Sequence, residues 1–250
     1  VVVNITTSSS AQAVEVHAFE RTARAYALGP GRWQALVGVD LDEEPGAYVL
    51  SAVVDGNGRA GERSIEVESR TFPVRRLTVN PDFVNPPASV QSRIADDARL
   101  LARIYANPAS ERLWGGGFRR PVPHRANSRF GTRSVFNGEP RNPHTGTDFL
   151  SPAGTPILAP QAGRAVAARD LYFSGNTVVL DHGLGLFSQL AHMSRIDVKE
   201  GAMVTTGQRL GLVGATGRVT GAHLHWGMRL NGARVDPLSL VALLPMDATP

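Results

Sequence analysis

The chain contains no cysteine, which removes disulfide staples, thiolate metal ligands and cysteine nucleophiles together. Lysine is nearly as scarce: Lys199 is the only one, so arginine carries the net charge of +4. Those arginines are scattered, and no basic stripe marks a nucleic-acid interface; no nucleic-acid partner is expected. A modest cationic excess in itself suits any polyanionic partner, a nucleic acid or a bacterial wall polymer among them. No apolar run approaches the roughly 18 to 20 residues that cross a bilayer, so no transmembrane segment is expected. The opening "VVVNITTSSS" has neither a basic n-region nor a cleavage site. An export signal is therefore expected to have been trimmed ahead of it.

What is present is an ordinary globular composition, 42% hydrophobic and 19% charged over 250 residues, long enough for two domains. Short alternating or β-branched runs fill the first part, at 13–19, 33–41, 47–54 and 63–69. Turn-forming segments at 29–32, 43–46 and 55–58 separate them. This spacing predicts an immunoglobulin-like β-sandwich over residues 1–80. After Pro86-Pro87, Val90, Ile94, Leu101, Ile104 and Tyr105 recur at helical spacing, predicting a helical linker over 81–110 that packs on one or both domains. Residues 111–250 begin with a Gly-, Pro- and Arg-rich stretch and continue as short strands between glycine turns. Together these predict a mainly β chain with a single clear helix.

The informative stretch is "GAHLHWG" at 221–227. In a strand, His223 and His225 project from one face while Leu224 points into packing. Further candidates lie upstream, with His144 and Asp148 in "NPHTGTDF" and His192 in "LFSQLAHMS". Pro143 and Gly146 argue against a helix around the first pair, so a turn must bring them together. Four histidines and one aspartate thus fall in three short segments, enough for two histidines and a carboxylate on a catalytic metal with two histidines to spare.

In this order, "HxxxD" at 144–148, "AHxS" at 191–194 and "TGxxTGAHLH" at 216–225 resemble the lysostaphin/LytM-type zinc endopeptidases of bacterial cell walls. The resemblance covers roughly residues 111–240 and includes "SPAGTPILAP" and "NGARVDPLSL". It implies an antiparallel β lysostaphin-like peptidase domain. It also implies His144, Asp148 and His225 as Zn2+ ligands, with His192 and His223 as unliganded catalytic histidines. The substrate class implied is peptidoglycan stem peptides and their cross-links, placing the protein outside the cytoplasm. Leu190 and Ala222 depart from the tyrosine and proline that many relatives carry there, which bears on pocket shape. Relatives divide between glycine bridges and direct D-alanine–diamino acid cross-links, and the flanking sequences are more similar to the second group.

The expected chemistry needs no family name. Two histidines and one carboxylate cancel one of zinc's two charges, leaving the ion able to polarise a carbonyl and acidify a bound water. No HExxH helix supplies a glutamate base, so a histidine must take the proton. A second histidine or a tyrosine is expected to stabilise the oxyanion; the resemblance implies Tyr172 at the rim, which matches an aromatic loop position in relatives.

The remaining polar candidates are read as structural. His17 is a surface strand residue, His124 a surface residue, His182 a hairpin cap and Asp181 a turn residue. Asn127, upstream of the HxxxD, could reach the metal as an occluding fourth ligand of a latent form, a reading set aside in favour of a structural one. The Gly-rich "GLVGATGRVTG" lacks the GK[ST] ending of a phosphate loop. A cupin-like oxygenase is set aside because no glutamate follows the HxH. A non-catalytic regulator on the same fold remains the alternative function, although such degenerate relatives usually lose metal ligands.

Overall fold

The computed structural model of the chain describes residues 1–56, 58–78 and 85–246. The expected junction between N-terminal domain and linker at 80/81, and Asn57 in the expected turn at 55–58, lie outside these residues. Seven strands come first: β1 (Val2–Thr6), β2 (Val14–Ala18), β3 (Arg21–Arg24), β4 (Tyr26–Gly29), β5 (Arg32–Leu36), β6 (Gly46–Val54) and β7 (Arg59–Val67). They form two antiparallel sheets, ordered β1-β5-β4 and β3-β2-β6-β7. Period-2 alternation directs Val14, Val16 and Ala18 of β2 inward and leaves His17 outside. Val16, Ala35 and Leu50 then meet in a core shared by both sheets.

The run expected as a strand through residue 41 stops at Leu36 for a tertiary reason. Its continuation docks on the second half of the molecule. A Cβ at Gly38 would lie 2.9 Å from Ala233 Cβ and 3.0 Å from the Leu230 carbonyl. Two residues on, Asp40 takes the Arg234 backbone N–H at 2.7 Å and pairs with its guanidinium. Tyr26 meets Trp114 edge to face, with ring centroids 5.5 Å apart. The N-terminal sheets and the C-terminal half therefore share packed apolar surface.

Strand β8 (Val74–Leu77) follows. A 3₁₀ turn at Ala88–Val90 then leads into α1 (Gln91–Ala106). Leu101, Ile104 and Tyr105 of α1 pack on Ala167, Val179 and Phe187, so the linker helix covers the back of the large sheet.

The C-terminal strands are β9 (Ala126–Ser128), β10 (Arg133–Phe136), β11 (Glu139–Pro140), β12 (Gly146–Phe149), β13 (Pro156–Leu158), β14 (Gly163–Leu171) and β15 (Gly175–Gly183). They continue with β16 (Leu186–Ile196), β17 (Met203–Val204), β18 (Arg209–Val213), β19 (Leu224–Leu230) and β20 (Ala233–Val235), and α2 (Pro237–Leu243) ends the fold. Ten of these strands form one sheet along the path β17-β14-β15-β16-β19-β12-β9, with β13, β18 and β20 attached. Its central strands are buried on both faces, and burial along β15 is nearly unbroken, including its polar Thr177, Asp181 and His182. Val178 and Leu180 join the main core with Phe149, Leu190 and Trp226, while Val179 meets the helix.

Two elements were not expected from the sequence. Helix α2 is a second helix, capped by the Asp236 carboxylate, which takes the Leu238 N–H at 2.9 Å, with Pro237 at the first position. Strand β8 pairs in parallel with β10, matching Arg75 with Ser134, so the N-terminal part reaches across into the segment that leads to the HxxxD motif. Among the described residues, no helix is long and apolar enough to cross a membrane.

Candidate metal centre

The antiparallel register of β12 on β19 sets Asp148 directly opposite His225, with Gly146 opposite Gly227. His144 arrives from the turn before β12. Its backbone N–H donates to Thr132 O at 2.9 Å, and its own carbonyl accepts from Gly131 N at 2.8 Å. The expected turn therefore closes between two loops rather than on a helix. His144 Nε2, His225 Nδ1 and Asp148 Oδ1 form a triangle with all three edges 3.0 Å.

This triangle fits a metal on its own chemistry. Three electron-rich atoms converge, and a single shared proton would bridge only one edge well. Ligands about 2.0–2.1 Å from a tetrahedral zinc stand roughly 3.3 Å apart, close to the edges found. The outer contacts agree: His144 turns Nδ1 toward the Arg129 carbonyl at 3.3 Å, leaving Nε2 for the cluster. The four side chains His144, Asp148, His223 and His225 keep only 11 to 18% of their surface, enough for one open side. Burial alone would raise the Asp148 pKa, but hydrogen bonds from His144 and His225, and their charges, hold it far below the usual carboxylate range. Burial lowers the pKa of His225, with Asp148 opposing.

Glycine at 146 is required by this packing. A Cβ there would sit 2.5 Å from the Trp226 carbonyl and 2.7 Å from His225 Cε1. The His225 ring is thus seated directly over the Gly146 backbone.

The other two histidines lie beside the triangle. His223 Nε2 is 3.8 Å from Asp148 Oδ1, and its ring centroid is 4.7 Å from that of His192. His192 sits in a bulge of β16, where Asn176 faces Met193 but Val178 faces Leu190. Its φ of 65° belongs to the left-handed region that a side chain adopts only under local constraint. The constraint here is a backbone bond from His192 N to Ser174 O at 2.9 Å. Both histidines point Nδ1 at a carbonyl, Thr216 O for His192 and Gly221 O for His223, each at 2.9 Å. A carbonyl only accepts, so Nδ1 carries the hydrogen and Nε2 presents a lone pair. Burial, then the charges of His225 and His223, push the His192 pKa down to about 3, so it is a neutral imidazole at neutral pH.

The cluster opens into a groove of about 630 Å³ walled by Arg75, Arg141, Phe173 and Arg218, with His144, Asp148 and His223 on its lining. Sequence reading missed these walls. Tyr172 lies next to Phe173, their ring centroids 5.0 Å apart, and its backbone N–H donates to Asp97 of α1. The wall position itself belongs to Phe173. Leu190 is fully buried in the core, so its departure from the family pattern lies behind the site. Asn127 is exposed, and it is Ser128 that stands 3.5 Å from His144 Nδ1.

Three bland assignments change in detail. His182 is no hairpin cap but a fully buried strand residue, holding Ala162 O at 2.7 Å and Ser188 Oγ at 2.9 Å. Asp181 is also buried in β15, where it accepts the Ala109 N–H at 2.7 Å and ties the linker to the sheet. His124 is half-buried rather than on the surface, with Nδ1 enclosed.

Fold and donor set together define the class: a mainly antiparallel β protein with three donors placed to hold a metal ion, open on one side. The comparisons with known proteins narrow that class. Residues 142–237 match Peptidase family M23, and a putative peptidase M23 of solved structure from Pseudomonas aeruginosa superposes with a TM-score of 0.74. That structure is 32% identical and the match covers 96% of this chain and 92% of the other. The chain belongs to peptidase family M23.

A curated relative is the peptidoglycan DD-endopeptidase ShyA of Vibrio cholerae, 34% identical over 75% of this chain and 44% of the relative. The DD-carboxypeptidase/endopeptidase Mpg of Neisseria meningitidis is 39% identical over 41% of this chain and 24% of its own. The matches thus span less than half of these curated relatives.

Proposed function

We propose that the protein is an extracytoplasmic zinc endopeptidase that hydrolyses peptide cross-links of peptidoglycan. The observation that carries this is the triangle of His144, Asp148 and His225 donor atoms with two further histidines presenting Nε2 beside it. The triangle is the proposed zinc site, and the remaining 111–250 segment its peptidase domain, with 1–80 as accessory domain and 81–110 as linker. Zinc, when bound, supplies a Lewis acid that polarises the scissile carbonyl and acidifies water.

The chain's own part is positioning and proton transfer. His192 and His223 hold their hydrogens on Nδ1 against fixed carbonyls, so each Nε2 is free to take a proton from the attacking water. Whichever becomes protonated can return that proton to the leaving amine and, meanwhile, donate to the developing oxyanion. Burial keeps the His192 imidazole neutral before the reaction but also weakens it as a base, so the proton is assigned to the pair of histidines rather than to His192 alone. Tyr172 takes a secondary place as a donor from the rim. The names of the Vibrio and Neisseria relatives support a cut between D-amino acids in direct cross-links.

The test is muropeptide analysis of purified sacculi incubated with the zinc-loaded protein, alongside His223→Ala and a chelated sample. Loss of cross-linked dimers in the first reaction alone, with new D-alanine termini, is the expected result. Intact dimers in the presence of fully loaded zinc would refute the enzymatic reading and favour the non-catalytic regulator.

A further inference from the structure

Among the described residues lining the groove, the charged side chains other than histidine and the proposed metal ligand Asp148 are arginines: Arg75, Arg141 and Arg218. They come from three separate places in the chain, β8, the segment after β11, and the turn before β19. Each is held in place by the fold. Arg75 lies opposite Ser134 in the β8–β10 register, its Nε 3.4 Å from the serine hydroxyl. Arg218 donates its backbone N–H to Phe173 O at 2.8 Å and lays its guanidinium 4.3 Å from the centre of the Phe173 ring. Arg141 is anchored through its backbone to Ser134 O at 2.8 Å, and the Glu139 carboxylate takes one end of its guanidinium. Its Nε is enclosed without a hydrogen-bond partner.

Burial lowers the Arg218 pKa, and the like charge of Arg141 lowers it further. The two guanidiniums therefore feel each other across a partly desolvated groove. An arginine fork matches a carboxylate in shape as well as charge, and half-buried arginines gain more from one than exposed arginines do. The groove that exposes the metal triangle is thus built to receive an anion next to the bond being cut.

We infer that Arg141 and Arg218 form a carboxylate subsite, so that the preferred substrate is a peptide with a free α-carboxylate beside the scissile bond rather than a neutral bridge. This deepens the endopeptidase reading above and rests on it for the position of the bond. Arg141 and Arg218 are specificity-determining residues, and Arg75 adds positive potential from β8.

The experiment uses two branched peptides, identical except that one carries the free carboxylate on the residue flanking the scissile bond and the other its carboxamide. Affinity is measured by calorimetry on the zinc-loaded chain carrying His223→Ala, and cleavage on the wild type. The free acid is expected to bind about 10- to 100-fold more tightly, the range for hydrogen bonds to a charged group. Arg141→Gln with Arg218→Gln should bring the acid down to the carboxamide while leaving the carboxamide almost unchanged. Arg218→Lys, which keeps the charge but loses the fork, should retain part of the preference; unchanged melting of each variant guards against misfolding. In wild-type cleavage the preference should appear in KM more than in kcat.

Equal affinities, or no binding of either peptide, would overturn the subsite. A retained acid preference without cleavage would uphold the subsite and remove the endopeptidase reading instead.

Discussion

Residues 225 and 226 are neighbours on β19, yet their side chains enter opposite kinds of polar environment. Trp226 donates its Nε1–H to Ser188 Oγ at 3.2 Å, and the Ser188 hydroxyl in turn serves His182 Nε2 at 2.9 Å. His182 Nδ1 passes its hydrogen to Ala162 O. Every donor in that chain has an acceptor, and the network is closed. On the other face, His225 Nδ1 meets a second imidazole nitrogen and a carboxylate oxygen, and no placement of hydrogens on the two rings gives all three edges a hydrogen bond. One histidine is satisfied by protein alone, and the other stands in a group that a shared cation would satisfy. Burial does not separate a structural histidine from a ligand; the balance of donors and acceptors around it does.

The largest expected effect strikes the open face. His225→Ala should abolish zinc retention after dialysis, read by elemental analysis. It should lower kcat/KM by about 10³-fold or more, since the metal contributes several kcal/mol to the transition state. His192→Ala should separate the two functions of that face: zinc stays bound, while kcat falls by about 10²- to 10⁴-fold, the usual range for a lost acid–base group. A variant that loses zinc as well would assign His192 to the ligand set.

The closed face should respond in stability instead. Burial holds the His182 pKa at about 4, below its ordinary 6.5. Its contribution to folding is complete above pH 6.5 and is lost as pH falls toward 4, because the unfolded chain takes up the proton first. The gap corresponds to about 3 kcal/mol. Denaturant titrations between pH 7 and 4 should show that slope weakened in His182→Gln, and an identical slope would remove His182 as its source. The smallest change, Gly146→Ala, should cost about 1–3 kcal/mol by forcing β12 from β19, with zinc affinity falling in parallel because the displaced ring belongs to His225.

The sequence exposed the open face well and the closed face poorly, for one physical reason. Metal chemistry needs particular atoms at particular spacings, so HxxxD, AHxS and HxH are visible in the sequence before any fold is known. The structure brings all five of those residues together. The groove walls left no such trace. Arg75, Arg141 and Arg218 meet because β8 pairs with β10 and because the turn before β19 folds onto Phe173, contacts between segments far apart in sequence. His182 was misplaced because "DHG" reads locally as a turn, whereas the actual reversal lies one residue later, around Leu184 with φ 51°. Helix α2 carried its signal in Asp236-Pro237, a cap followed by a first-turn proline, but seven residues are too few for periodicity to register.

The pairing of β8 with β10 has a consequence for how such proteins can be recombined. A segment N-terminal to the helix supplies a strand, and with it Arg75, to the wall of a groove that otherwise belongs to the second half. A fragment trimmed to start at residue 111 would keep every proposed metal ligand and still lack a side of its own cleft. The two halves are therefore poor candidates for shuffling as independent modules, and grafting this groove onto another scaffold requires the graft to begin upstream of Val74.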